Sequence, residues 1–362
     1  MSNNYLTSTG ASRTSLVATV LVTLACSAAA QVQIYGTVDA AVGTIATQPV
    51  GAPNAAIVKT SGVHNGGLQT SYFGIKGTED LGGGLSAKFV MEGFFRTDTG
   101  ASGRFDPNPT SSGDAMWSRE AYVGLAGGFG EIRLGNNANP TWIAMLQTNA
   151  LGANSVFSPA FRQLFNAGTR GLSEVDTAMV NSVRYISPVF SGFEVNVALS
   201  PDEGRGSSNH VLSLTYKNGP LLLSAATQHV GHAAPPTLTA LSIPPFAANP
   251  TRRDQTMNLI GGAYSFGPAR VFGQYVRVKN DRTGTTDKVP NFGVSVRLGN
   301  GDLQFSQGQD KTTGTTVAKR TTTTIGYVYN MSKRTDLYTF AMADKVRVGT
   351  ANSFVVGIRH RF

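Results

Sequence analysis

Lys76, Lys88, Arg119, Arg133 and Arg184 recur on the polar faces of short segments whose alternate positions are apolar. Bases repeated in this way can concentrate anions and focus a field without any nucleophile or cofactor. Two further bases, Arg162 and Arg170, and two acids, Glu174 and Asp176, lie in the stretch Asn136–Met179. Other chemistries lack their residues. There is no Gly-x-Ser-x-Gly elbow, and the five histidines are scattered. His229 and His232 stand at i and i+3 on a stretch read as a long loop, with no acidic partner beside them, so no metal site is expected. The Gly-rich turns do not open helices, which argues against a phosphate cradle. No catalytic residue and no cofactor is expected.

The segments that carry these bases read as strands. Gln31–Ile45 places Val32, Ile34, Gly36, Val38 and Ala40 opposite Gln33, Tyr35, Thr37 and Asp39. Leu85–Phe95, Phe193–Leu199 and Phe292–Leu298 alternate in the same way, and so does the final run to Phe362. Period-two alternation predicts strands with one apolar and one polar face.

The connections alternate as well. Tight Gly- or Asn-rich turns recur at Glu79–Gly84, Gly127–Gly130, Ser187–Gly192, Asn218–Pro220, Phe266–Pro268, Gly299–Asp302 and Asn330–Arg334. Longer polar loops are expected at Gln48–Gln69, Thr97–Met116, Asn136–Met179, Ser200–Ser208, Gly231–Asp254, Asn280–Lys288, Asp310–Ala318 and Val346–Asn352. Short turns at one end and long loops at the other indicate a closed membrane barrel, in which every backbone group is paired and no edge is left open. The predicted fold is all-β: a sixteen-stranded antiparallel transmembrane barrel, wide enough for an aqueous channel. A soluble β-sandwich would give no reason for the asymmetry of the connections. Asn136–Met179 is the longest interruption of the pattern, and loops of this length are usually functional. It carries Trp142, Met145, Leu146, Leu151, Phe157, Phe161, Leu164 and Phe165, enough to pack on a wall or form a short helix. It is read as folding into the lumen and setting what passes.

Met1–Arg13 is polar and ends in a positive charge, Thr14–Ala25 is a short apolar run, and Ala28-Ala29-Ala30 supplies small residues before Gln31. This is the form of a cleaved secretory signal, far short of the ~20 residues of a spanning helix. A lipoprotein signal on Cys26 fits less well, because Thr23 stands where such a signal prefers Leu. Two regions follow: 1–30 as signal and 31–362 as barrel. Cleavage removes the single cysteine and Arg13, leaving net charge +8, so no disulfide supports the exported chain. With 42 Gly and 14% charged residues the chain is not of disordered composition. Its bases are scattered rather than clustered, which argues against nucleic acid. Tyr185, Phe193, Tyr216, Tyr264, Tyr327 and Tyr329 lie near strand ends, as in the aromatic girdles of membrane barrels.

QIYGTVDAAVG, FGIKGTEDLGGGL, REAYVGL, NSVRYISP with FSGFEV, GYVYNMSKRTDLYTFAM and the terminal VGIRHRF together resemble the Gram-negative general diffusion porins of betaproteobacterial type. The resemblance spans the mature chain. It implies a homotrimer of sixteen-stranded barrels in the cell outer membrane, each with its third external loop folded inward. It also implies diffusion of small hydrophilic solutes and anions, contact with outer-membrane lipid, and recognition of the terminal Phe362 by the barrel-assembly machinery. In that family acids of the inward loop face arginines on the opposite wall. Arg119 matches one such arginine and is expected to face the lumen with Ala121 and Val123, leaving Tyr122 outward. Tyr72, Asn136 and Met179 stand where the family usually has arginine, and the loop's acidic motif is missing. Lys76, Arg133 and Arg184 on the wall, and Arg162, Arg170, Glu174 and Asp176 in the loop, remain as candidates for the constriction. The expected result is an anion-preferring pore with a weaker or relocated transverse field. Rival readings are a substrate-specific channel with a ligand site at the loop, a barrel hydrolase, and an adhesive surface protein.

Overall fold

The computed structural model describes residues 31–48, 54–104, 114–165, 176–201, 207–231 and 254–362. The expected signal segment lies outside them, as do Arg170, Glu174 and His232. The strands are β1 (Gln31–Thr47), β2 (Val58–Asn65), β3 (Tyr72–Gly82), β4 (Leu85–Phe94), β5 (Glu120–Gly127) and β6 (Gly130–Ala138). Then come β7 (Ala178–Ile186), β8 (Phe193–Ser200), β9 (Asn209–Asn218), β10 (Leu221–Val230), β11 (Gln255–Phe266) and β12 (Ala269–Asn280). The set ends with β13 (Thr285–Leu298), β14 (Gly301–Gly314), β15 (Ala318–Asn330), β16 (Thr335–Val346) and β17 (Gly349–Arg361). Two helices, α1 (Pro140–Gln147) and α2 (Pro159–Leu164), lie between β6 and β7.

Every neighbouring pair is antiparallel, and β1 pairs with β17 to close the ring. The seventeen strands occupy sixteen wall positions. Both β2 and β3 run against β1, from Thr47↔Val58 to Ala40↔Asn65 and then from Thr37↔Tyr72 to Gln31↔Thr78, so they are two halves of one broken strand. Phe362 completes the closure, exchanging both backbone hydrogen bonds with Gly36 at 3.1 and 3.2 Å. Among the described residues no helix is long and apolar enough to cross a membrane; the strands do the crossing.

The outward face is apolar. Ile34, Val123, Leu134, Ile260, Phe292, Ile325 and Phe354 are all exposed there. At the turn end Phe193 packs on Tyr216 with ring centroids 4.5 Å apart, while Tyr185 and Tyr327 donate to the carbonyls of Phe129 and Leu298. An amphipathic ring whose hydroxyl finds a partner suits a border between hydrocarbon and water.

Three of the expected long loops are not loops. Asn280–Lys288, Asp310–Ala318 and Val346–Asn352 are strand ends joined by turns at 281–284, 315–317 and 347–348. Both faces of these ends are polar because they rise above the apolar band, so the alternation that marks a strand fades there. Gly284 provides the positive φ (66°) that its turn requires. His229 is also inside a strand, directly opposite His210, with ring centroids 5.1 Å apart.

Candidate pore constriction

Of the stretch between β6 and β7, the described residues 139–165 lie inside the barrel. Its helices start where the sequence allows: the Asn139 side chain accepts from Thr141 N–H and the Ser158 hydroxyl from Phe161 N–H, each with proline at the next position. Ala144, Met145, Ala160, Phe161 and Leu164 then pack on Met257, Leu259, Val276, Val278 and Val289, the inward side chains of β11–β13. Further along, Leu151 and Phe157 join Leu68, Phe340 and Met342, with Phe157 stacked on Phe340 at 5.5 Å. These inward positions are apolar because a loop covers them.

Polar anchors complete the seat. Asn139 donates to Gln228 at 3.1 Å, Gln163 donates to the Gly308 carbonyl and Thr322, and Thr324 donates to the Phe157 carbonyl. Arg162, expected to face the pore, is fully buried instead. Its Nε donates to Asp344 at 3.2 Å, and its two terminal nitrogens donate to the carbonyls of Val156 and Ala46. Burial lowers its affinity for the proton to a pKa of about 10, against the pull of Asp344. Asp176 is clamped as well: Arg104 bridges it and Asp114, with Nη1 2.6 Å from Asp176 Oδ1. Burial works against its charge, but the Arg104 guanidinium holds the carboxyl below its ordinary range. Between Asn139 and Phe165 the loop has no acidic residue at all. Its less buried edge is Trp142, Ile143, Leu146, Gln147, Ala153 and Val156.

Opposite the loop, β1 and β3–β7 carry the charged wall. Arg119 precedes β5 at a bend where its N–H bonds the Glu92 carbonyl. Its guanidinium pairs with the Glu92 carboxylate and lies 4.0 Å over the Tyr72 ring, and Tyr35 donates to the same carboxylate. Because the bend resets the alternation, the neighbours expected to share its face do not. Val123 is 57% exposed on the outside, whereas Tyr122 points inward beneath Arg133 at 4.3 Å. Arg133 pairs with Glu131 at 2.7 Å and approaches Glu120 at 4.0 Å; Lys88 reaches Glu131 at 3.2 Å. Asn136 braces the bend by donating to the Ser118 carbonyl at 3.1 Å. Met179 is buried against Ala198 and Val211. Neither of the last two is at the channel surface.

Some lumen bases have no carboxylate within ion-pair distance among the described residues. Arg184 is held by Asn196 Oδ1 at 2.7 Å and by the Ala138 carbonyl. Lys76 lies over the Tyr35 ring at 4.6 Å and lines a cavity of about 590 Å³ with Asp80, Lys88, Tyr122, Glu131 and Arg133. Arg270 and Lys217 line a second cavity, about 820 Å³, below the loop segment Leu146–Ala153. Lys217, Arg270 and an inward Glu120 were not among the residues expected at the constriction. Lys217 and Arg270 fall on the inward parity of their strands, a signal the sequence carried, whereas the facing of Glu120 depends on the bend before it.

A profile of the family described as Gram-negative porin matches residues 17–348. The chain belongs to that family. Outer membrane porin protein 32 of Delftia acidovorans is 29% identical, with 94% of this chain and 98% of that protein covered. Major outer membrane protein P.IB of Neisseria meningitidis serogroup B is 32% identical over 57% of this chain and 55% of its own. The solved anion-selective porin from Comamonas acidovorans superimposes with a TM-score of 0.73 at 26% identity, covering 92% of this chain and all of that one. This porin is thus an outer-membrane channel for passive diffusion, and its loop and charged wall are two sides of one water-filled passage. On the β3–β7 wall, Glu92 and Glu131 stand beside Arg119, Arg133 and Lys88.

Proposed function

We propose that this porin passes small hydrophilic solutes with a preference for anions, set by lumen bases that are not held in ion pairs. Lys76, Lys217 and Arg270 carry the reading: all face inward, and none has a carboxylate within ion-pair distance among the described residues, although Asp80 and Glu131 line the cavity of Lys76, and Glu194 and Asp302 that of Lys217 and Arg270. Arg119, Arg133 and Lys88 add less, because Glu92 and Glu131 lie within their reach. Unbalanced positive charge between low-dielectric walls raises the local anion concentration. The name of the Comamonas acidovorans relative agrees with this sign. The expected transverse field is replaced by short dipoles along one wall plus a net positive lumen.

We further propose export by a cleaved segment 1–30, assembly as a homotrimer, recognition of Phe362 by the assembly machinery, and transport without catalysis. A reversal potential in a KCl gradient across a planar bilayer tests the selectivity. Anion preference is expected, together with a shift toward cations in Lys76→Glu and Arg270→Glu; cation preference in the wild type refutes it.

A further inference from the structure

At the loop end of the barrel, the outward surface of β9 and β10 holds a pair of side chains that ion passage does not use. His210 stands directly opposite His229, one position in from the last ladder pair of these strands, Asn209 with Val230. Their ring centroids are 5.1 Å apart and their planes 32° to each other. His210 is exposed, His229 is half-buried, and both fall on the outward parity of their strands. Among the described residues neither imidazole has a hydrogen-bond or ion-pair partner, only the other ring. The remaining described histidines are taken. His64 contacts the Gly43 carbonyl at 3.2 Å, and His360 contacts the Thr335 hydroxyl at 2.9 Å.

The surroundings are wet and carry little charge. Thr256 stands opposite His229 on β11, and Leu199 stands opposite His210 on β8. Beneath the pair, Thr227 donates to Asn258 at 2.9 Å, and the apolar band begins at Leu212 and Ile260. Along the same row on β12, Lys279 lies opposite Thr256 and pairs with Asp281 at 2.6 Å. At ~4.8 Å per strand it is roughly 10 Å from His229.

We propose that His210 and His229 chelate one divalent transition-metal ion of borderline softness, such as Zn²⁺, Cu²⁺ or Ni²⁺. Two neutral imidazole nitrogens without a carboxylate favour these ions over Mg²⁺ and Ca²⁺, which require oxygen. With metal–nitrogen bonds of about 2.0–2.1 Å and a tetrahedral angle, two imidazoles on one ion have ring centres roughly 5 Å apart. That is the separation found here. No third His, Cys, Asp or Glu joins the pair among the described residues, so water completes the coordination. The paired strands hold both ligands in place before the ion arrives, and the second nitrogen then binds intramolecularly. The ion ties β9 to β10 on the outside, as Asn209 does on the inside by accepting from the Gly231 N–H at 2.9 Å. The spacing of His229 and His232 in sequence gave no such site; the register with His210 creates it.

The test uses the full barrel, stripped with a chelator and held in zwitterionic micelles, with Cu²⁺ as the probe. At one equivalent per chain, electron paramagnetic resonance should show coupling to two ring nitrogens. His210→Gln and His229→Gln should each reduce the count to one and weaken binding by roughly a hundredfold. Excess Zn²⁺ should displace the Cu²⁺ signal, and excess Mg²⁺ should not. Lowering the pH through about 6.5 should release the ion, because both ligands must be neutral to bind it. His360→Gln, at the turn end, should change nothing, and heat-modifiable gel mobility reports folding. If the variant H210Q/H229Q does not fold, the nitrogen count in the wild type and its fall in the single variants decide the matter. A wild-type spectrum with one nitrogen or none overturns the site. So does Cu²⁺ binding by H210Q/H229Q as tight as that of the wild type, and so does loss of the ion in His360→Gln.

Discussion

Arg162→Ala removes the polar bolt between the loop and the far wall. The side chain contributes hydrogen bonds to Asp344, to the Val156 carbonyl and to the Ala46 carbonyl. Each bond to a charged group is worth ~1.5–3 kcal/mol, so a naive total is ~4.5–9 kcal/mol. That total is too high, because Asp344 keeps Arg320 at 2.6 Å and the Thr322 hydroxyl at 2.9 Å and is not left as a bare buried charge. Water entering the vacated site replaces part of the remainder. A loss of about 3 kcal/mol is reasonable, more than a hundredfold in the ratio of anchored to released loop. The barrel wall, held by its own ladders, should stay intact, and the cluster of Phe161 and Leu164 should keep the loop partly seated. Single-channel recordings should therefore show a wild-type level interrupted by larger, short-lived openings, with unchanged gel mobility of the folded barrel. Asp344→Asn should produce more of them, since it strips the counter-charge from Arg162 and Arg320 together. A conductance histogram for Arg162→Ala identical to the wild type would refute the loop as the width-setting element.

Glu92→Gln should raise anion selectivity, because Arg119 loses its counter-charge but keeps its place over Tyr72. One unit charge about 7 Å from a passing ion in water is worth roughly 0.6 kcal/mol, so the permeability ratio should rise two- to threefold, read from the reversal potential. The depressed proton affinity of Asp176 means that the Arg104 clasp contributes fully above the ordinary carboxylate value of about 3.9 and is lost as pH falls through its lower folded value. Channel noise should accordingly rise below about pH 4 and be quiet at neutral pH; Asp176→Asn should be noisy throughout. Gly326→Ala should destabilise the barrel by about 1–3 kcal/mol, because an added methyl overlaps the buried Phe340 ring that holds Phe157, as chemical denaturation would measure.

The sequence by itself determined the wall. Alternation at residues such as Val32–Ala40 and Phe354–Phe362, together with Gly-rich turns, is local, so strand identity, the apolar outer face and barrel closure were legible without a fold. The interruption at Asn136–Met179 was legible too, as a segment apolar enough to pack on a wall or form a short helix; the two helix starts at Asn139-Pro140 and Ser158-Pro159 came with the structure. Strand ends above the membrane band were not legible, because water on both faces erases the period of two. Only the tertiary structure decided which charges meet. Parity tells a side chain its face but not its neighbour, and a single bend before Glu120 reversed the facing of Ala121, Tyr122 and Val123. Arg162 reads as a free loop base until the fold places Asp344 beside it, 182 positions away. Charge is carried by residue type, but whether it is cancelled depends on register between strands and on where a loop comes to rest. Those are long-range distances, and no local pattern contains them.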